Sequence, residues 1–225
     1  RILNPMNYVN NFSHMSIGLV KDIKGNLDDD QENMTSDIYE DSIDALDMLN
    51  TNLKKIEEHG LNTTRILKAM EEMLKDRGVN LTLTDIAAIC RKNIEMLQSY
   101  YAKDIAECHI KIESPDKDAM AVAEVDAEQF SKVVMSMLAN SVYALRKKAL
   151  QRKSFEPVIR LRVSTDVEAS MVKVGVYDNG IGIEASIVDK VFDPFFTTKT
   201  TAEAVGVGMY LSREIILNHG GNITV

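Results

Sequence analysis

Nine positions between Leu46 and Leu74 set the first constraint. Leu46, Leu49, Leu53, Ile56, Gly60, Thr63, Leu67, Met70 and Leu74 follow one another at intervals of 3, 4, 3, 4, 3, 4, 3 and 4 residues. That interval is the heptad of a helix whose seam meets another helix. Gly60 and Thr63 are small or polar, so the seam is thin at its centre. Upstream, Val9, Phe12, Val20, Ile23 and Leu27, with Ser16 filling the gap, fit one face of an earlier helix. Pro5 stands early enough for a first helical turn to tolerate it. The acidic stretch GNLDDDQENMTSD (25–37) reads as the connection, and its Asp28-Asp29-Asp30 as a solvated loop rather than a metal site. Two antiparallel helices with such faces cannot bury them alone, whereas two copies pairing into a four-helix bundle can. The expectation is a homodimer through this helical hairpin.

Asp76-Arg77-Gly78 ends the helical half, and the period then changes. LTDIAAICRKNIEMLQSYYAKD (83–104) reads as an amphipathic helix opened by Thr84 or Asp85. ECHIKIES (107–114) alternates like a strand, with Cys108, Ile110 and Ile112 on one face and His109 on the other. Residues 126–150 read as a helix with Phe130, Val133, Val134, Met137, Leu138, Ser141 and Leu145 on its apolar face. VIRLRVST (158–165) and MVKVGVYD (171–178) alternate cleanly and predict an antiparallel pair. A short helix at IVDKVF, a helix at GMYLSREIILNHGG, and a strand beginning at NITV complete the reading. The fold class expected is α+β: a helical hairpin followed by an α/β sandwich, a mixed, mostly antiparallel sheet with helices on one face.

Charge and composition remove several function classes. The net charge is −8, which argues against a duplex nucleic-acid surface. Two cysteines, Cys90 and Cys108, make neither a disulfide framework nor a metal cluster and read as reduced thiols. No apolar run reaches the roughly 18–20 residues of a membrane span. The chain opens on Arg1 and closes within GGNITV, so both ends read as cut. A cytoplasmic location is expected, with any membrane link through an upstream segment.

Four elements of the second half carry chemistry. The first is Asn140, with Ser136 one turn earlier on the same helix. The second is Asp178 with Gly180 and Gly182, where a strand ends. The third is VFDPFFTTK (191–199), with Thr197, Thr198 and Lys199. The fourth is Gly206-Val207-Gly208-Met209, opening a helix. Together they meet the needs of a purine nucleotide. A carboxylate accepts from the exocyclic amine of adenine, and glycine lets the backbone approach the ring. A neutral amide oxygen ligates Mg²⁺ without adding negative charge. A helix N-terminus takes phosphate oxygens. Asp178 is thus expected to read the base, Gly206 to Gly208 to hold phosphates, and Asn140 with Ser136 to hold the metal.

In order and spacing, Asn140, DNGIGI, FDPFFTTK and GVGMYL resemble the N, G1, F and G2 boxes of histidine-kinase ATPase domains. That fold is shared with gyrase-type topoisomerases, heat-shock chaperones and mismatch-repair ATPases. NPMNYVNNFS (4–13) and EEHGLNTTRILKAM (57–70) resemble the two helices of the dimerisation domain of bacterial sensor kinases. The resemblance implies a dimerisation and histidine-phosphotransfer hairpin at 1–78 and a catalytic ATP-binding domain at 79–225. It implies ATP and Mg²⁺ as cofactors and a response-regulator receiver domain as partner. The phosphoacceptor histidine is expected just before Arg1, outside the chain. Arg1 stands where the family carries an acid that helps deprotonate the imidazole, and arginine cannot act as that base. Ser136 stands where the family carries Asn, Ala202 and Ala204 where lid glycines are common, and Met209 where Leu is usual. Two alternatives follow. One is a degenerate kinase acting as a nucleotide-binding dimeric scaffold. The other is a plain ATPase, which Ser136 disfavours because chaperones place a Glu there. His14 reads as a surface residue, His59 as a packing residue before a helix irregularity, and His219 as a helix cap. Phe195 and Phe196 shape the lid or fill the core.

Overall fold

The computed structural model describes residues 3–29, 35–74, 78, 80–152, 154–166, 168, 170–200 and 203–225. It divides into two compact units: Arg1–Lys75 with Thr197–Val205, and Asp76–Phe196 with Gly206–Val225.

The first unit is a hairpin of α1 (Leu3–Asp29) and α2 (Ser36–Leu74). Helix continues through Gly25 to Asp29 and resumes at Ser36, so the connection is shorter than 25–37. Tyr39 on α2 donates from its hydroxyl to Asp28 on α1 and ties the two ends. Asp30 lies outside the described residues, as do Arg1, Asp76 and Arg77. The heptad seam divides between two directions. Leu46, Leu53 and Leu67 are half-buried and Gly60 is buried, whereas Leu49, Ile56, Thr63, Met70 and Leu74 are exposed. The α1 face divides likewise: Val20 is buried, and Val9, Phe12 and Ile23 are exposed. Polar and small residues share the buried side with these aliphatic ones. Asn10 donates from Nδ2 to Thr64 Oγ1 at 3.4 Å, and its Oδ1 occupies the space that a Cβ on Gly60 would need, 1.9 Å away. His14 pairs with Glu57 at 3.2 Å on an exposed face. His59 is also exposed rather than packed; the buried member of that pair is Gly60.

The second unit is built around α5 (Ala127–Gln151), whose Val133, Val134, Leu138, Val142 and Leu145 are almost wholly buried. Val134, Leu138, Val142 and Leu145 pack with Ile86, Cys90, Ile94 and Leu97 of α3 (Ile86–Tyr100) and with Ile159 and Leu161 of β4 (Val158–Asp166). β4 runs parallel to β2 (Lys111–Glu113) and antiparallel to β5 (Met171–Asp178), with Ile159 opposite Asp178. A second sheet, β1 (Thr82–Asp85) against β3 (Val122–Val125), carries no alternation strong enough to read from sequence. Of the two candidates, Thr84 and Asp85, it is Asp85 that caps α3, accepting from Ala87 N at 2.9 Å. That helix ends at Tyr100, and α4 (Ala102–Cys108) follows. Residues 107–109 therefore belong to a helix end and not to a strand. His109 closes α4 in the left-handed conformation at φ 53°, and β2 begins only at Lys111. Ala185–Lys190 forms a 3₁₀ turn and α6 spans Gly208–Asn218. NITV forms no strand. Thus the helical hairpin is followed by an α/β unit with a mixed sheet, as the sequence implies.

Candidate functional site

The site is organised along one stripe of α5. The helix starts at Asp126, whose carboxylate accepts from Gln129 N at 3.0 Å while Gln129 Nε2 returns to it at 3.1 Å. The Gln129 backbone N–H is the largest of the hydrogen bonds that hold the Asp126 carboxyl below its ordinary pKa. Fifteen residues on, Ser141, Ala144 and Lys148 follow at helical spacing, and each touches the turn that ends β5. Ser141 Oγ donates to Asp178 Oδ2 at 2.8 Å. Ala144 O accepts from Ile181 N at 3.3 Å. Lys148 Nζ donates to the carbonyl oxygens of Asn179 and Gly180.

The turn completes the carboxylate's support. Gly180 N donates to Asp178 Oδ1 at 2.9 Å, so each oxygen of Asp178 holds one donor and keeps an open lone pair. A Cβ on Gly180 would lie 2.6 Å from Ala144 Cβ, so only glycine lets the turn lie against the helix. Gly182 is needed for a different reason: its φ is 73°, with open space around it. Asn179 faces the sheet, accepting from Val158 N at 2.9 Å and donating to Glu156 O at 2.7 Å.

The other end of the stripe meets α6. Ser136 Oγ lies where it would be 2.9 Å from a Cβ on Gly208. Asn140 is half-buried one turn further along. Gly206 has φ 78°, and a Cβ there would strike the carbonyls of Phe195 and Phe196 at 2.6–2.8 Å. Phe195 is itself left-handed at φ 65°, an uncommon and costly state for an aromatic residue. This bend answers the sequence question about Phe195: it is 40% exposed and shapes the backbone rather than filling the core. Val207 stands at the N-cap of α6 without a side-chain hydrogen bond, and Met209 is half-buried in its first turn. Arg213 stacks over Phe192 at 5.8 Å.

Ser136, Asn140, Asp178, Gly180, Gly182, Gly206, Val207, Gly208 and Met209 thus share one unit. Thr197, Thr198 and Lys199 fall in the segment grouped with the hairpin. Within that segment Thr197 Oγ1 accepts from Lys199 N at 3.1 Å, and Thr200 donates twice to Glu203. Burial pushes the Lys199 ammonium pKa down, against an opposite pull from the Glu203 carboxylate.

Sequence reading misses Ser141, Lys148 and Asn179. Ser141 was placed on an apolar face, yet a hydroxyl there is itself a signal, because a buried polar group needs a partner. His219 does more than cap α6. Its Nδ1 donates to Ile215 O at 2.7 Å and its Nε2 accepts from Asp126 N at 2.9 Å, which fixes the neutral tautomer and joins α6 to the start of α5. Among the described residues no group of His, Cys, Asp and Glu is placed to hold a metal.

Residues 125–225 match the family described as histidine kinase-, DNA gyrase B-, and HSP90-like ATPase. The two-component sensor PprA of Pseudomonas aeruginosa is 33% identical over 116 residues, covering 51% of this chain and 12% of that protein. The signal transduction histidine-protein kinase AtoS of Escherichia coli is 36% identical over 101 residues, covering 44% and 15%. The sensor histidine kinase ZraS of Escherichia coli is 24% identical over 161 residues, covering 72% and 31%. The chain thus spans less than a third of these relatives. Two solved structures share the fold over nearly the whole chain. ShkA in complex with AMPPNP has a TM-score of 0.51 at 13% identity, covering 95% of this chain and 41% of that one. Histidine kinase ThkA in complex with response regulator TrrA has a TM-score of 0.50 at 18% identity, covering 97% and 57%.

The α/β unit has the fold of the GHKL-type ATPases that its family match describes, and in sequence it follows a helical hairpin. Residues 125–225 are thus similar to that ATPase family, and the relatives that the chain matches include sensor histidine kinases.

Proposed function

We propose that this chain is the cytoplasmic core of a two-component sensor histidine kinase. It binds Mg-ATP and serves transfer of the γ-phosphoryl to a histidine, for relay to a response-regulator aspartate. Residues 1–78 act as the dimerisation and phosphotransfer hairpin, and 79–225 as the catalytic ATP-binding domain. The observation that carries the reading is the Asp178 carboxylate, held by Ser141 Oγ at 2.8 Å and Gly180 N at 2.9 Å beside a glycine pressed onto a helix.

The residues fit the groups they would hold. A carboxylate with both oxygens fixed by donors is an acceptor, which suits the amino edge of adenine and repels a carbonyl edge. Asn140 and Ser136 offer two neutral oxygens from one face of α5, suited to Mg²⁺ and a metal-bound water. Gly206 to Met209 present the N-terminal backbone of α6, an anion site, for phosphate oxygens. The roles of Thr197, Thr198 and Lys199 toward the phosphates rest on the sequence resemblance alone. Bound ATP supplies the phosphoryl group, and the protein supplies positioning and charge around a loose transition state.

Two exposed apolar rows support the homodimer. Tyr8, Phe12, Met15, Leu19 and Ile23 line α1, and Leu49, Ile56 and Met70 line α2, and all of them remain exposed when the hairpin has buried its own seam. A second copy covers such rows in a four-helix bundle.

Calorimetry with Mg-ATP tests the pocket. Asp178→Asn is expected to weaken binding roughly ten- to a hundredfold with the melting temperature retained, since it removes one charged hydrogen-bond partner. A folded variant that binds as tightly as the parent would defeat the base-reading role. Incubating the full-length protein with γ-labelled ATP separates kinase from scaffold: an acid-labile, base-stable phosphoprotein supports the kinase, and none supports the scaffold.

A further inference from the structure

Lys148 stands two turns beyond Ser141, on the extended C-terminal part of α5, away from the groups assigned to phosphate and metal. Its ammonium donates to the carbonyls of Asn179 and Gly180, the latter at 3.1 Å, and lies 5.2 Å from the centre of the Phe155 ring. Both carbonyls belong to the turn that carries Asp178 and donates Gly180 N to it. The same turn is also held by Asn179, which closes two hydrogen bonds onto Glu156 O and Val158 N. Phe155, against which the lysine rests, directly precedes Glu156.

From this arrangement we propose that Lys148 is a positioning residue for nucleotide recognition, acting through the backbone of the 178–181 turn rather than through the ligand. The inference rests on the nucleotide-pocket reading above. A carbonyl pair facing outward without a cation would turn toward water, and a peptide that rotates at 179–180 carries Gly180 N away from Asp178 Oδ1. The carboxylate would then keep only Ser141. Lysine suits the task because one ammonium offers three donors and serves two carbonyls at once. The aromatic face of Phe155 holds that charge in place. Because the lysine acts at the base end, its loss should be felt equally by every ligand that carries adenine, however many phosphates follow.

Lys148→Met removes the charge and keeps the stem. Binding of adenosine, ADP and Mg-ATP is measured on parent, Lys148→Met and Lys148→Arg. The expectation is that Lys148→Met weakens all three by a similar factor, about tenfold, the size of one charged hydrogen bond. Arginine, which also reaches two carbonyls, restores most of the affinity. Amide hydrogen exchange without nucleotide gives a second readout: Gly180 and Ile181 exchange faster in Lys148→Met, while α5 around Val134 and Leu138 does not. Three outcomes overturn the proposal. One is unchanged adenosine binding by a folded Lys148→Met. Another is a loss confined to ATP, which makes the lysine a phosphate contact. The third is unchanged exchange at Gly180 and Ile181. If the parent binds no adenine ligand at all, the nucleotide reading itself fails, and the exchange experiment still decides whether Lys148 orders the turn.

Discussion

At the scale of single residues, environment separates groups that the sequence presents as equals. Cys90 and Cys108 look alike on paper, yet burial pushes the Cys90 thiol up to about 12, and Cys108 is only partly buried, at the edge of the core. The thiolate is the reactive form. A maleimide at neutral pH is therefore expected to label one thiol in the folded protein, at Cys108, and both in denaturant; rapid labelling of Cys90 in the native state would contradict its burial. Asp126 is a second case. Its folded pKa lies below the ordinary value of about 3.9, so its contribution to stability is complete above that value and disappears as pH falls through the lower, folded one. Thermal melts between neutrality and pH 3 should show a steeper acid loss for the parent than for Asp126→Asn, which keeps a capping oxygen without the titration. None of this is visible in a bare sequence, because a pKa depends on neighbours brought together by folding.

At the scale of elements, strong periods and caps were legible and weak ones were not. The heptad of α2, the cap at Asp85 and the alternation of β4 and β5 all appear where the residues place them. The reading fails at ECHIKIES because an alternating pattern of few residues fits a helix end as well as a strand. β1 and β3 are four residues each and paired only with one another, too short for a period to emerge. Buried polar contacts between elements escape in the same way. Asn93, 1% exposed, donates to Ile89 O at 2.9 Å and accepts from Ser131 Oγ at 3.1 Å, linking α3 to α5. Asn93→Ala is expected to cost about 1–3 kcal/mol, since it removes two hydrogen bonds at a buried position and leaves Ser131 and the Ile89 carbonyl without this partner. Denaturant unfolding measures it, and Asn93→Ala paired with Ser131→Ala should recover part of the loss.

At the scale of the molecule, the sequence places a candidate nucleotide site and a helical hairpin in one chain. It does not reveal that the seam of α2 faces two ways, with Leu46, Leu53, Gly60 and Leu67 turned inward and Leu49, Ile56 and Met70 outward. A period of seven marks a seam but does not say which partner each half of it meets. The outward row predicts that a charge introduced there, such as Phe12→Asp or Ile56→Asp, leaves the helix content intact while sedimentation shifts from dimer to monomer; an unchanged dimer would place the contact elsewhere. The stripe on α5 carries a consequence of its own. Ser136, Asn140, Ser141, Ala144 and Lys148 act as marks on one rigid ruler, reading α6 at one end and the turn after β5 at the other. Each residue advances a helix by about 100°. A single residue inserted after Asn140 would swing every later mark off the turn while leaving Ser136 beneath Gly208, so α6 and the turn after β5 would be measured from different origins. Between its marks such a helix can change in letter, but hardly at all in length.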